Sequence, residues 1–209
     1  MASPAYCELT RHPMLRVAPP PARLDVVRAE RAAAEFLDAL GLDVEADGLR
    51  ATPARMARAY AELFSAAEFN LTTFPNDEGY DELVLARSIP VRAVCEHHLL
   101  PFVGVAHVGY LPGERILGLS KLARVVAYFA GRPQVQERLT KQVAGWLQDN
   151  LAPAGVGVVI EAEHTCMTLR GVRASGSTTV TSTLLGTVRD DVRSRQEFFA
   201  LTGTEGRHA

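Results

Sequence analysis

Nine residues constrain this chain more than any other stretch. Over residues 102–110, Phe102, Gly104, Ala106, Val108 and Tyr110 share one parity, and Val103, Val105, His107 and Gly109 share the other. A repeat of two sends the two sets to opposite faces of a β-strand. Residues 83–94 carry a second β-rich pattern, and Leu111-Pro112-Gly113-Glu114 reads as the turn before a short return strand at Ile116-Leu117-Gly118. Two helices come next. Ser120 is placed to cap one that runs to about Ala130, with Leu122, Val125, Val126 and Phe129 inside, and Gly131-Arg132-Pro133 breaks it. The second covers roughly residues 134–150, on a stripe of Val135, Leu139, Val143, Trp146 and Leu147. Val156, Val158 and Ile160 then alternate over residues 156–163, and the Thr- and Val-rich residues 177–187 form a further strand. Strands, two helices, then strands again predict an α+β fold, with helices gathered on one face of a sheet.

The first third is helical in pattern. Leu24, Val27, Ala34, Leu37 and Leu40 form one face, closed by Gly41 as a C-cap. Thr52-Pro53 opens a second helix, with Thr as cap and Pro at the first helical position, and with Met56, Tyr60, Leu63 and Phe64 as its buried stripe. Residues 65–80 read as loop. Residues 1–22, with Pro13, Pro19, Pro20 and Pro21, read as a flexible tail, and residues 202–209 as a frayed end. The expected divisions are thus 1–22, a helical region at 23–80, a main domain at 81–201 and the last eight residues. The 22 Lys and Arg nearly balance the 24 Asp and Glu, which gives no overall pull toward nucleic acid. No apolar run approaches the roughly 18 residues of a membrane span. Cys7, Cys95 and Cys166 are odd in number and no secretory segment is visible, so a disulfide framework is not expected and the cytoplasm is.

The chemistry concentrates in two places. Cys95-Glu96-His97-His98 is a Cys-x-x-His turn, and His164-Thr165-Cys166 ends the predicted strand. Together, Cys95, His98 and Cys166 form a Cys₂His set that zinc accepts while keeping a fourth position for water. His97 and His164 would then be free to exchange protons near neutral pH. Core packing or thiol chemistry fits the same two cysteines, and spacing alone does not choose. His107 reads as structural. In Gly118-Leu119-Ser120-Lys121-Leu122-Ala123-Arg124, Lys121 and Arg124 sit one turn apart at a helix start, where Ser120 and backbone N–H groups would suit a phosphate; two solvated charges are the plainer alternative. Arg170 adds positive charge just after Cys166. Glu137, in Gln136-Glu137-Arg138, is either an exposed ion-pairing carboxylate or an acceptor for a guanine edge.

Four blocks in this order resemble the GTP cyclohydrolase I family: Cys-Glu-His-His-Leu-Leu-Pro-Phe at 95–102, Gly-Leu-Ser-Lys at 118–121, Gln-Val-Gln-Glu-Arg-Leu-Thr at 134–140 and His-Thr-Cys-Met-Thr-Leu-Arg-Gly at 164–171. Thr52-Pro53-Ala54-Arg55 and Gly186 fit as well, so the resemblance spans roughly residues 23–201. It implies the tunnelling fold, an antiparallel sheet with two helices on one side preceded by N-terminal helices. It also implies Zn2+ on Cys95, His98 and Cys166, and acid–base roles for His97 and His164. Guanine would be held by Glu137 and Gln136, and the triphosphate by Lys121, Arg124 and Arg170, with Ser120, Arg55 and Arg58 in the same grip. The implied reaction converts GTP to formate and 7,8-dihydroneopterin triphosphate, opening tetrahydrofolate synthesis. His164 would serve the opening ring nitrogen and C8, His97 the ribose side, and these two roles are exchangeable. The implied assembly is a homodecamer of two five-membered rings with active sites between subunits. Use of the product in another pterin pathway, and allosteric control, are compatible with the same residues. Ala93, Ala174, Thr183 and Val188 depart from the family's frequent choices without touching a proposed ligand, base or anion contact. Two other readings compete: a related tunnelling-fold enzyme acting on another pterin or a deazaguanine, and a non-catalytic module with a closed, four-ligand zinc site.

Overall fold

The structure, a computed structural model, describes residues 24–66 and 68–203; the expected tail at 1–22, Cys7 and residues 204–209 lie outside the described residues. The elements run α1 (Val26–Ala39), α2 (Thr52–Leu63), β1 (Thr73–Pro75), β2 (Val84–Cys95), β3 (Pro101–Leu111), β4 (Arg115–Leu117), α3 (Ser120–Ala130), β5 (Pro133–Gln134), α4 (Gln136–Leu151), β6 (Gly155–His164), α5 (Thr165–Thr168), β7 (Thr179–Gly186), α6 (Thr187–Asp190) and α7 (Val192–Thr202). The main sheet has the order β5-β2-β3-β6-β7. Every pairing is antiparallel except β2 with β5, which meet in parallel at Val94↔Pro133 and Cys95↔Gln134.

The parity of β3 decides the layers. Phe102, Ala106, Val108 and Tyr110 are fully buried and join Leu122, Val125 and Phe129 of α3 and Leu139, Val143 and Leu147 of α4 in one core. This is the expected α+β arrangement of the tunnelling fold, with α3 and α4 on one face. The other face carries a small second core of Val159, Val188 and Phe198 under α7, an element absent from the sequence expectation. Glycine permits that cover: a Cβ on Gly157 would stand 2.7 Å from the Phe198 ring.

Several expectations are corrected. The return strand at 115–117 does not join the main sheet. It pairs with β1, inside the expected loop, through Thr73↔Leu117, and Arg115 Nε donates to Thr73 Oγ1 at 2.8 Å. Neither Thr52 nor Ser120 caps its helix; each is already the first helical residue, and no side chain caps either end. Asp25 does cap α1, accepting from Arg28 N at 2.9 Å, and Gly41 follows that helix at φ +80° as expected. The stripe expected on α2 is only half-buried or exposed, while Pro53 and Ala57 are buried. On α1 only Ala33 and Leu37 are buried, leaving Val27 61% and Phe36 54% exposed. Thr202, expected to fray, is buried at the end of α7.

Among the described residues, no strand pairs with the outer side of β7 or with the outer side of β2 over residues 84–93. No helix among them is long and apolar enough to cross a membrane.

Candidate metal centre

Strand β2 ends at Cys95, and the chain reverses into β3 within five residues. Leu99 N donates to Cys95 O at 2.8 Å and Cys95 N to Leu100 O at 2.9 Å, with Leu99 at φ +52° closing the turn. The tight reversal brings both imidazoles back onto the thiol. Cys95 Sγ lies 3.9 Å from His98 Nδ1 and 4.0 Å from His97 Nδ1. Helix α2 buttresses the turn from outside, where Tyr60 Oη donates to Leu99 O at 2.9 Å.

The third donor arrives through sheet register. Antiparallel pairing sets His164 opposite Phe102. The strand expected to run through His164-Thr165-Cys166 is corrected: β6 stops at His164, and Cys166 lies in the single helical turn α5. Thr165 Oγ1 fastens that turn by donating to Pro101 O at 2.6 Å.

The ligand atoms of Cys95, His98 and Cys166 all lie within 4.8 Å of one another. Donors around a tetrahedral zinc stand about 3.5–4 Å apart, so this set fits such an ion with small adjustment. Both thiols are buried, at 6% and 8% exposure, whereas His98 is exposed, so the cluster opens to one side. Burial, then the neighbouring Cys95, pushes the Cys166 thiol up, while Arg170 pulls it the other way. A cation between the thiols would relieve that cost, because metal-ligating sulfur is deprotonated.

Around the donors lies a connected polar shell. Glu96 pairs with Arg138, and that hydrogen bond holds the Glu96 carboxyl below the usual carboxylate range. Arg138 Nε also donates to Gln134 Oε1 at 3.0 Å, and Glu96 N to Gln134 O at 3.0 Å. His164 stacks on Phe102, with ring centroids 4.5 Å apart and planes 10° from parallel. Burial lowers its basicity and the nearby Glu137 charge partly restores it. Glu137 itself is exposed. Gln136, expected beside it at the guanine, is 1% exposed with its amide turned inward, accepting from His164 Nε2 at 2.8 Å. Neighbouring residues on a helix point about 100° apart, so adjacency in sequence did not make these two side chains neighbours in the site.

The phosphate candidates divide. Arg170 is exposed, close enough to Cys166 to favour its thiolate. Arg55 and Arg58 are exposed on α2, the helix that Tyr60 ties to the metal turn. Ser120, Lys121 and Arg124 start α3 at the other end of the sheet. Leu117 N donates to Tyr110 Oη at 2.9 Å there, and Gly118 N to Thr72 O at 3.0 Å. Tyr110 stands eight residues along β3 from Phe102, about 27 Å at strand rise. One chain therefore does not bring Lys121 and Arg124 to the cysteine cluster. Tyr60 and Arg138 are the contributors that sequence reasoning missed, and Gln136 was named for the guanine but not for its contact to His164; Arg138 lay inside a recognised block, but nothing in the sequence marked it as the partner of Glu96.

A model of the GTP cyclohydrolase I family matches residues 29–203 of this chain. The chain belongs to the GTP cyclohydrolase I family. It is 50% identical over 206 residues to the GTP cyclohydrolase 1 of Mycobacteroides abscessus, covering 96% of this chain and 98% of that one. It is 53% identical to that of Mycobacterium tuberculosis over 178 residues, 83% of this chain and 88% of the other. With the Aquifex aeolicus enzyme identity is 47% over 178 residues, 85% and 97% of the two chains. The chain is accordingly an enzyme of the GTP cyclohydrolase I family with a Cys/His cluster able to hold a metal ion. Its departures from the family pattern fall on packing positions: Ala93 and Val188 are buried, Thr183 pairs with Val158 in the sheet, and Ala174 N donates to Met167 O in the loop after α5.

Proposed function

We propose that this enzyme hydrolyses GTP with zinc held by Cys95, His98 and Cys166, releasing formate and forming 7,8-dihydroneopterin triphosphate at the entry to tetrahydrofolate synthesis. The observation that carries the proposal is a three-donor cluster, open on its His98 side, with His164 beside it on the strand end that leads to Cys166. When bound, zinc supplies a Lewis acid and makes water a nucleophile near neutral pH, suited to attack on C8 of guanine. His164 moves the proton at the opening ring nitrogen and at C8. His97, exposed with its Nδ1 4.0 Å from Cys95 Sγ, handles protons of the ribose as it opens and rearranges. Glu137, exposed at the start of α4 near His164, accepts hydrogen bonds from the guanine N1–H and exocyclic amine. Arg170 supplies cationic charge at the metal end.

The far placement of Ser120, Lys121 and Arg124 supports a site shared between copies. An extended nucleotide bound at one chain's metal turn reaches the α3 start of its neighbour, with Arg55 and Arg58 completing the triphosphate grip. Among the described residues the outer edge of β7, and that of β2 over residues 84–93, has no strand partner, and unpaired edges are templates for strand addition. Head-to-tail pairing of the β2 edge with the β7 edge of the next copy is a heterologous contact, which gives a ring when the rotation between copies closes. Five copies per ring and two rings per particle are the proposed assembly. A closed structural zinc site is disfavoured, because among the described residues the cluster offers three donors and no fourth. The test is incubation with GTP, with and without zinc, following formate and a fluorescent pterin product. Zinc-dependent release of both is expected; a zinc-loaded protein that releases no formate overturns the reading.

A further inference from the structure

The hydrogen bonds around Gln136 have a direction. We infer that Gln136 is a positioning residue that fixes the tautomer of His164, placing the proton on Nε2 and leaving Nδ1 as the atom that takes and returns protons. The inference rests on the reading of His164 as the proton-transfer group.

Two of the acceptors around Gln136 leave no alternative. Gln136 Nε2 reaches Ile160 O at 3.0 Å and Thr179 O at 2.8 Å, both backbone carbonyls, which only accept. The amide nitrogen must therefore face them, and the amide cannot be flipped without opposing oxygen to oxygen twice. Thr181 Oγ1, 3.2 Å from the same nitrogen, agrees. Thr140 donates its hydroxyl proton to Gln136 O at 2.8 Å, so at the 2.6 Å contact between the two threonines Thr181 is the donor. Its oxygen is thereby left to accept from Gln136. The two amide protons go to the two carbonyls, and the longer Thr181 contact can only share one of them; the network is anchored on main-chain carbonyls of β6, β7 and α4.

Gln136 Oε1 faces His164 Nε2 at 2.8 Å and has only lone pairs to offer. The neutral ring must bring the proton to that contact, so its basic lone pair is on Nδ1. The Phe102 ring stacked at 10° removes the other freedom, rotation of the imidazole out of this plane. Sheet register and one buried amide thus set which nitrogen is active.

The test reads the tautomer directly. Protein labelled with 15N-histidine and loaded with zinc is measured by two-bond 1H–15N correlation at a pH where the ring is neutral, and the His164 signals are assigned by their loss in H164N. Protonated Nε2 with bare Nδ1 is expected; the reverse pattern overturns the inference, and that outcome does not depend on any Gln136 variant folding. Steady-state kinetics give a second readout. Q136M should lower kcat roughly 10- to 100-fold, part of the 10²- to 10⁴-fold that general acid–base transfer supplies, with zinc content and the KM for GTP unchanged. Q136E keeps an oxygen toward His164 but, even protonated, offers one proton to the two carbonyls in place of two, so it should recover only part of that loss. A raised KM at normal kcat in Q136M would instead make Gln136 a substrate contact and overturn the positioning role. If the wild-type enzyme releases no formate, the proposed reaction fails, while the spectrum still decides the tautomer.

Discussion

At the scale of single residues, Cys166 and His164 stand two positions apart and should fail in different ways. C166A leaves two donors, too few to retain zinc, so metal content should fall from about one ion per chain to near zero together with formate release. H164A keeps all three donors, so it should hold zinc yet lose turnover by roughly 10²- to 10⁴-fold. Metal analysis beside a formate assay separates the two, and an H164A enzyme with normal turnover would dismiss the proton-transfer role. Arg138 belongs to the shell that aims the turn. R138M frees Glu96 and should weaken zinc binding by roughly 10- to 100-fold, the usual penalty for losing an outer partner, measurable by competition with a chelator. The three donors were legible because a Cys-x-x-His turn and a distant His-x-Cys have few other uses together. The inward turn of Gln136 was not, since sequence does not say which of two adjacent helical residues faces the core.

Elements differ in how much of them a sequence can announce. The parity of β3 and the stripes of α3 and α4 were readable because their apolar sides are long and continuous. The three-residue strands β1 and β4 are too short for any period, and α7 buries only Phe198 and Thr202 of its own, so its signal was faint. Its attachment is nonetheless specific. Gly157→Ala would press a methyl into the Phe198 ring and should cost about 1–3 kcal/mol in denaturant unfolding; in an F198L background the two changes share one contact, and the cost should shrink. The helix is also capped by Asp191, which accepts from Ser194 N at 2.7 Å and from Ser194 Oγ at 2.9 Å. Those bonds hold the Asp191 carboxyl below its ordinary value. A carboxyl depressed in the folded state contributes stability above the unfolded-state value and loses it as pH falls through the folded one. D191A should therefore melt earlier than wild type at neutral pH, and the two curves should converge in acid.

For the whole molecule, the separation of Lys121 from the cysteine cluster turns assembly into a chemical variable. Chains carrying K121A and chains carrying H164A should each be nearly inactive. Unfolded together at equal amounts and reassembled, they should regain about a quarter of wild-type turnover, since one pairing of neighbours in four restores an intact site in a ring of heterologous contacts. Activity that stays at the level of the separate variants would place the whole site within one chain. The family resemblance implied active sites between subunits, but the order of residues did not say that Lys121 would lie far from the cysteines, because a sequence does not state at which end of a sheet a helix begins; the register of β3 and the place of β4 decide that distance. Val27 and Phe36 of α1 are also exposed among the described residues. The hydroxyl of Tyr60 on the carbonyl of Leu99 joins these two levels. It makes the helical pair a lever on the loop bearing His98, so whatever seats α1 and α2 would also set how tightly a bound ion is gripped; if the proposed assembly forms, dilution that parts its copies should hasten the ion's escape to a chelator.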